Sequence, residues 1–255
     1  MKLRTVTNFL LEQYPLEDAD EWDWAGFSLK YNLSEELTGV VVALDVTSKI
    51  IDYAIKQQAN LIVVHHPFKF TEKWTDEYLQ APYKKRLVKI LKSHGINVLA
   101  LHTNYDNNLN GTSHKIAKAL GFKEFEPFTT KYPCVISTLI GLNELKLKLE
   151  YCLRLRNFRT NSHDPMRKYN KIAILSGSGP ASLASDLKFA GVELIITSDI
   201  KWSEWLTYKE LDMDVLEVSH LDEQVFVDDI YATLKDNFSD LNIKTFKLEE
   251  PYKNI

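Results

Sequence analysis

The sequence predicts an α/β protein built as two α/β domains, each a mainly parallel sheet flanked by helices, and three observations carry that expectation. Short, continuously apolar runs occur at 40–44 (VVVAL), 61–64 (LIVV), 98–101 (VLAL), 172–175 (IAIL) and 194–196 (LII), and a further run at 215–218 (VLEV) is broken only by Glu217. Runs of this length read as strands buried on both faces. Amphipathic stretches of helical period separate them, as parallel strands require, because a parallel connection must cross back over the sheet. Gly95 and Gly121 each follow a helical pattern by one position, where a left-handed residue ends a helix.

Taken in order, the chain begins with a helix over 4–13. The segment EWDWAGFSL comes next, and its aromatics from Trp22 to Phe27 read as core or subunit-interface packing. After the run at 40–44 come a helix over 48–58, the strand 60–65, a helix over 83–94, the strand 97–102 and a helix ending at 120–121. In the 83–94 helix, Lys84, Lys85, Arg86, Lys89 and Lys92 read as a solvated face, with Leu87, Ile90 and Leu91 turned inward. The rhythm changes at PFTTKYP, and the polar stretch RNFRTNSHDPMRKYN interrupts the second half of the chain, so a domain boundary is placed near 126. The domains are then 1–125 and 126–219. The second contains strands at 171–176, 193–198 and 214–219 and a helix after Pro180. A helix to about 235 and a last strand at 243–248 complete the chain.

With 31 basic and 35 acidic residues the net charge is -4, which offers no general attraction to nucleic acid or to an anionic membrane. Cys134 and Cys152 lack CxxC spacing, as expected in a reducing compartment. The N-terminus has no signal-like apolar core, and no apolar run reaches the roughly 18 residues a membrane span needs. A cytoplasmic location is the expectation.

Ligands of open parallel sheets gather beyond the carboxyl ends of the strands. Here four strand ends are polar: HHPF from His65, HTNYDN from His102, TSDIKWSE from Thr197 and SHLDE from Ser219. Neighbouring side chains within a strand point to opposite faces, so His65 and His66 can act together only past the strand end, where Pro67 holds the pair extended. Each imidazole can then serve a different ion. Asp106 adds a hard oxygen, and His220 and Glu223, three apart at a helix start, share one face. Three imidazoles and two carboxylates suit zinc, manganese or iron better than calcium. The set is sparse for two ions and leaves coordination positions open, as in catalytic sites. His102 reads as a neighbour of the ligands, and Asp199 and Lys201 as candidates to position a substrate. Ser176-Gly-Ser-Gly invites a phosphate-cradle reading but lacks the GK[ST] of a P-loop, and a tight strand-to-helix turn is the expected role. His94, His114 and His163 read as surface residues.

At these motifs the sequence resembles the Ngg-interacting factor 3-like family, also called the GTP cyclohydrolase I type 2 family. The family's pattern is WDN-x-G-L, HHP, HTN-x-D, TGD-I-K and G-H-x-x-E. The chain reads WDWAGF from Trp22, HHPF from His65, HTNYD from His102, TSDIK from Thr197 and SHLDE from Ser219. The resemblance implies that His65, His66, Asp106, His220 and Glu223 are ligands of two divalent ions. It also implies that the C-terminal piece, 220–255, returns to the first domain and that the chain assembles as a toroidal homohexamer. Trp24 replaces the family's Asn, Ser198 and Ser219 its Gly, and Ser203 a common His; none is a proposed ligand. The expected function is a metal-dependent hydrolase of a nucleotide or phosphorylated small molecule, with a non-enzymatic metal-binding regulatory ring as the alternative.

Overall fold

Four consecutive apolar residues in a strand cannot all face one side, so the sheet that holds them must be covered on both. The structure, a computed structural model that describes residues 1–253, meets this requirement in two separate sheets. In chain order the elements begin with α1 (Leu3–Gln13), β1 (Gly26–Leu29), β2 (Val40–Ala43), α2 (Ser48–Lys56), β3 (Leu61–Val64), α3 (Trp74–Gln80), α4 (Lys84–Ser93), β4 (Asn97–Ala100), α5 (Thr103–Asp106) and α6 (Thr112–Ala119). They continue with β5 (Cys134–Gly141), α7 (Leu142–Leu153), β6 (Arg159–Thr160), β7 (Lys168–Ile174), α8 (Ala184–Phe189), β8 (Leu194–Ser198), α9 (Trp202–Glu210), β9 (Asp214–Val218), α10 (Val225–Asn237) and β10 (Ile243–Phe246). A 3₁₀ turn, His220–Gln224, precedes α10.

The first unit comprises residues 1–108 and 226–248. Its sheet runs β1-β4-β3-β2-β10, with β2, β3, β4 and β10 parallel and β1 antiparallel at the edge. Val40, Val42, Leu61, Val63 and Leu99 turn toward Leu3, Val6 and Leu10 of α1 and Phe226, Ile230 and Leu234 of α10. Val41, Ile62, Val64 and Val98 turn the other way, toward Ile50, Ile51 and Ala54 of α2 and Leu87 and Leu91 of α4. Each such buried aliphatic contributes about 1.5–3 kcal/mol. A single charge on either face, such as Val63→Asp, would leave an unpaired carboxylate in the core.

The second unit comprises residues 109–225 together with 249–255, of which 249–253 are described. Its sheet runs β5-β7-β8-β9-β6, with a parallel centre of β7, β8 and β9 and antiparallel edges. Ile172, Ile174, Leu194, Ile196 and Leu216 face Ile116 of α6 and Leu145 and Leu149 of α7. Ala173, Ile195 and Val215 face Leu187 of α8 and Tyr208 of α9.

Two details differ from the sequence reading. The first unit ends at Asn108 rather than near 126, because Ile116, Ala117 and Leu120 bury themselves in the core of the second sheet. The returning segment is 226–248, where β10 pairs in parallel with β2, and 249–253 belong to the second unit. The edge strands β1, β5 and β6 have no apolar run, since an edge buries less of each side chain than a central strand. Among the described residues no helix is long and apolar enough to cross a membrane.

Candidate metal centre

Parallel strands end on the same side, and this brings the polar residues of each unit together. In the first unit β2, β3 and β4 end in register, Ala43 beside Val64 and Val64 beside Ala100. The next residues are therefore neighbours too: Asp45 after β2, the His65-His66 pair after β3, and His102 after β4. The N–H groups of His65 and His66 both donate to the Leu44 carbonyl, each at 3.1 Å. This sharp turn lets successive imidazoles lie side by side, with ring centroids 5.0 Å apart.

His65 is fully buried, and its Nδ1–H donates to the Leu101 carbonyl at 2.8 Å, so Nε2 is the nitrogen available to a ligand. That Nε2 lies 3.7 Å from Asp106 Oδ2. His66 Nδ1 donates to Asp45 Oδ1 at 3.0 Å, and His102 Nδ1 to Asp23 Oδ1 at 2.7 Å. One nitrogen from each of His65, His66 and His102 falls within a 4.8 Å group that could hold a metal ion. Asp106 enters from α5, whose first turn hangs from the His102 carbonyl through the N–H of Asp106 at 3.0 Å.

Asp23 is the residue that the sequence reading passed over. Its Oδ2 accepts from the Thr103 N–H at 3.0 Å and from the Thr103 hydroxyl, while Oδ1 accepts from His102 Nδ1–H. Burial alone would raise its pKa, but the His102 hydrogen bond and charge and the two Thr103 donors outweigh it and hold the carboxyl down to about 2. The expectation for this segment concerned its aromatics. Instead Trp22 is 63% exposed, with its ring edge-on to His102 at 5.9 Å, and the acid between the two tryptophans is what the site uses. Asp45 was missed as well. Its one visible signal is its place directly after the apolar run 40–44, the same position that the histidines hold in the next strand.

The second unit repeats the arrangement with β7, β8 and β9: Ser176-Gly177 lies just past β7, Asp199 follows Ser198 at the end of β8, and Ser219-His220 follows β9. His220 and Glu223 lie on the 3₁₀ turn, where residues three apart eclipse, and Nε2 and Oε2 are 2.9 Å apart. His220 Nδ1 donates to Asp199 Oδ2 at 2.6 Å, with the Ser198 hydroxyl at 3.3 Å. Burial disfavours the imidazolium, yet the Glu223 and Asp199 carboxylates overcome this and push its pKa up to about 12. Asp199 holds this position from a left-handed backbone, φ 52°, uncommon for a residue with a side chain. Lys201 instead opens α9, with its ammonium 4.0 Å from Glu204 and largely exposed.

The SGSG segment is a tight turn that serves Glu223. Gly177 has φ +58°, and a Cβ built there would come within 2.1 Å of Glu223 Oε1. Its carbonyl accepts from the Ser198 N–H at 2.8 Å and the Thr197 hydroxyl at 2.9 Å, which locks the turn to β8. Its N–H bonds the buried Asp222 carboxyl, whose pKa burial and the adjacent Glu223 charge push upward. His94 and His163 lie at the surface as expected, whereas His114 is half-buried with its ring edge-on to Phe125 at 5.3 Å.

These donors fit a first-row divalent ion. Imidazole nitrogens are held at Nδ1 by a carbonyl or carboxylate, and the carboxylates of Asp106 and Glu223 beside Nε2 of His65 and His220 supply hard oxygen. Outer-shell acceptors of this kind fix the tautomer and raise the basicity of the ligating nitrogen.

Known proteins resemble this chain in sequence and in fold. A "GTP cyclohydrolase 1 type 2 homolog" of Mycoplasmopsis pulmonis is 36% identical over 98% of both chains. A protein of the same name from Ureaplasma parvum is 29% identical over 92% of this chain and 90% of its own. Among solved structures, a hypothetical protein of Staphylococcus aureus superposes with a TM-score of 0.85 at 23% identity, covering 100% of this chain and 99% of the other. The profile of the Duf34/NIF3 (NGG1p interacting factor 3) family matches residues 1–252, and the chain belongs to that family.

Proposed function

We propose that His65, His66 and Asp106 of the first unit, with His220 and Glu223 of the second, bind two divalent ions, and that the protein is a metal-dependent hydrolase of a nucleotide or phosphorylated small molecule. One observation carries this reading. At the carboxyl edge of each sheet an imidazole is held at Nδ1 by Leu101, Asp45 or Asp199, and in His65 and His220 the Nε2 lies beside a carboxylate, Asp106 or Glu223, that would share an ion with it. Zinc, manganese or iron in such a set supplies Lewis acidity and lowers the pKa of water toward about 7. The chain's own groups set the geometry: Asp45 and Asp199 orient His66 and His220, Asp23 orients His102, and the Gly177 turn seats Glu223. His102, with its Nδ1 proton committed to Asp23, presents Nε2 beside His65 and His66. The name carried by the relatives, GTP cyclohydrolase 1 type 2 homolog, supports a nucleotide as substrate. A cytoplasmic toroidal homohexamer belongs to the same reading.

A second reading is favoured by Ser203, which stands where the family commonly has His and so removes a possible proton donor. In that reading the ions stabilise or regulate a ring without turnover. Metal analysis of the purified protein, followed by a nucleotide and phosphoester hydrolysis screen with wild type, His65→Ala and His220→Ala, separates the two. Stoichiometric metal and turnover that both variants abolish without dissolving the oligomer support the hydrolase. Metal loss that only disassembles the oligomer supports the second reading, and absence of stoichiometric metal overturns both.

A further inference from the structure

A cavity of about 250 Å³ opens in the second unit, with Asn157, Phe158, Arg159, Asp199, Glu217 and Tyr252 in its lining. Asp199 is shared with the candidate metal centre, since its carboxylate accepts from His220 Nδ1. The cavity therefore adjoins a proposed ligand within a single unit.

Three features define what the cavity can hold. The first is a fixed ion pair. Arg159 donates through Nε and Nη2 to both oxygens of Glu217, Nη2 at 2.6 Å, and Glu217 Oε1 also accepts from the Ile200 N–H at 2.8 Å. The guanidinium is 5.6 Å from the Trp205 ring, so its plane is held from two directions. The second is aromatic surface. Phe158 is half-buried, and Tyr252 is 52% exposed, its hydroxyl bonded to Glu250, which also receives the Asn157 amide at 3.4 Å. The third is polarity. Glu217, paired with Arg159, and Asp199, paired with His220, both put carboxylate oxygens in the lining, and such acceptors disfavour a phosphate and favour N–H donors. The volume falls below the roughly 300 Å³ at which cavities enclose whole ligands, so it suits one ring system with the remainder outside.

We propose that this cavity receives the planar nitrogen ring of the nucleotide substrate, stacked on Tyr252 and Phe158 with its N–H edge toward Asp199. The inference rests on the nucleotide reading above and adds the part of the nucleotide that is recognised and the residues that recognise it. Arg159, planar and already paired, adds a flat wall rather than a phosphate clamp.

The test uses the full chain as purified and guanosine as the probe, a purine with adjacent N–H donors and no phosphate to bring to a metal. Calorimetric titration is expected to show saturable binding to wild type. Tyr252→Ala should weaken it about 5- to 150-fold, the range for removing one base-stacking aromatic. Tyr252→Phe should retain it, and metal content should be the same in all three proteins. No guanosine binding to wild type, or equal binding to Tyr252→Ala, overturns the proposal. The two readings fail separately: Tyr252-dependent guanosine binding by a protein without metal sinks the hydrolase and leaves the cavity, and metal-dependent turnover without guanosine binding does the reverse.

Discussion

Replacing Gly177 by Ala puts a methyl carbon where Glu223 already stands. The added Cβ would lie 2.1 Å from Oε1 and 2.7 Å from the carboxyl carbon, whereas real Cβ contacts essentially never fall under 3.0 Å. The turn cannot yield easily, because its carbonyl is bonded to both Ser198 and Thr197. The carboxylate must therefore retreat by about 0.9 Å or more, against a tolerance of about 0.2 Å in a metal–ligand distance. Disturbing only a supporting partner already costs about 10- to 100-fold in metal affinity, so a loss at least that large is expected. The backbone adds its own penalty, about 1–2 kcal/mol for a non-glycine residue in the left-handed region. Gly95→Ala isolates that penalty, since Gly95 has φ +62° and nothing within 4 Å of an added Cβ. The assay is metal titration against a competing chelator, with thermal unfolding of the metal-free proteins alongside. Both variants should lose stability, Gly177→Ala by at least as much as Gly95→Ala, and Gly177→Ala alone should lose metal affinity. Wild-type affinity in Gly177→Ala would refute the claim that the turn seats a metal ligand.

Two further outcomes are expected from the pairs around the site and in the core. Asp45→Asn weakens the acceptor that orients His66 Nδ1, so metal affinity should fall about 10- to 100-fold while the melting temperature of the metal-free protein changes little; chelator competition reads the first and calorimetry the second. Glu77→Gln leaves the buried Lys84 ammonium without its counter-charge and should cost about 3–5 kcal/mol, read by urea unfolding at neutral pH. Burial opposes ionisation of Glu77, but Lys84, the Phe70 N–H and the Thr71 hydroxyl prevail and hold its carboxyl below the usual range. Its contribution is complete above the unfolded carboxyl's ordinary pKa and is lost as pH falls through the lower folded value. Wild type should thus converge on Glu77→Gln as pH drops below about 4.5, and an equal gap at all pH values would contradict the pairing.

The Lys84 case shows where sequence patterning stops. Lys84, Lys85, Arg86, Lys89 and Lys92 read as one solvated face, and Leu87 and Leu91 do turn inward, yet Lys84 is only 9% exposed and pairs with Glu77 of α3. Periodicity assigns a face to a helix but carries no information about a partner on another element. The same holds for Asp23, which meets His102 across 79 positions.

The sequence by itself determined the α/β class, the central parallel strands and the polar residues at their ends, because continuous apolar runs and the residues that break them are local signals of burial. It also carried the family, through five motifs in the right order. Only the tertiary structure decided which residues support the histidines. Asp45, Asp23 and the Gly177 turn act through strand register and a close backbone approach, which arise when distant segments pack. The unit boundary was decided there as well, because α6 belongs to whichever sheet receives Ile116 and Leu120, and an amphipathic helix does not record in its own pattern the surface that will bury it.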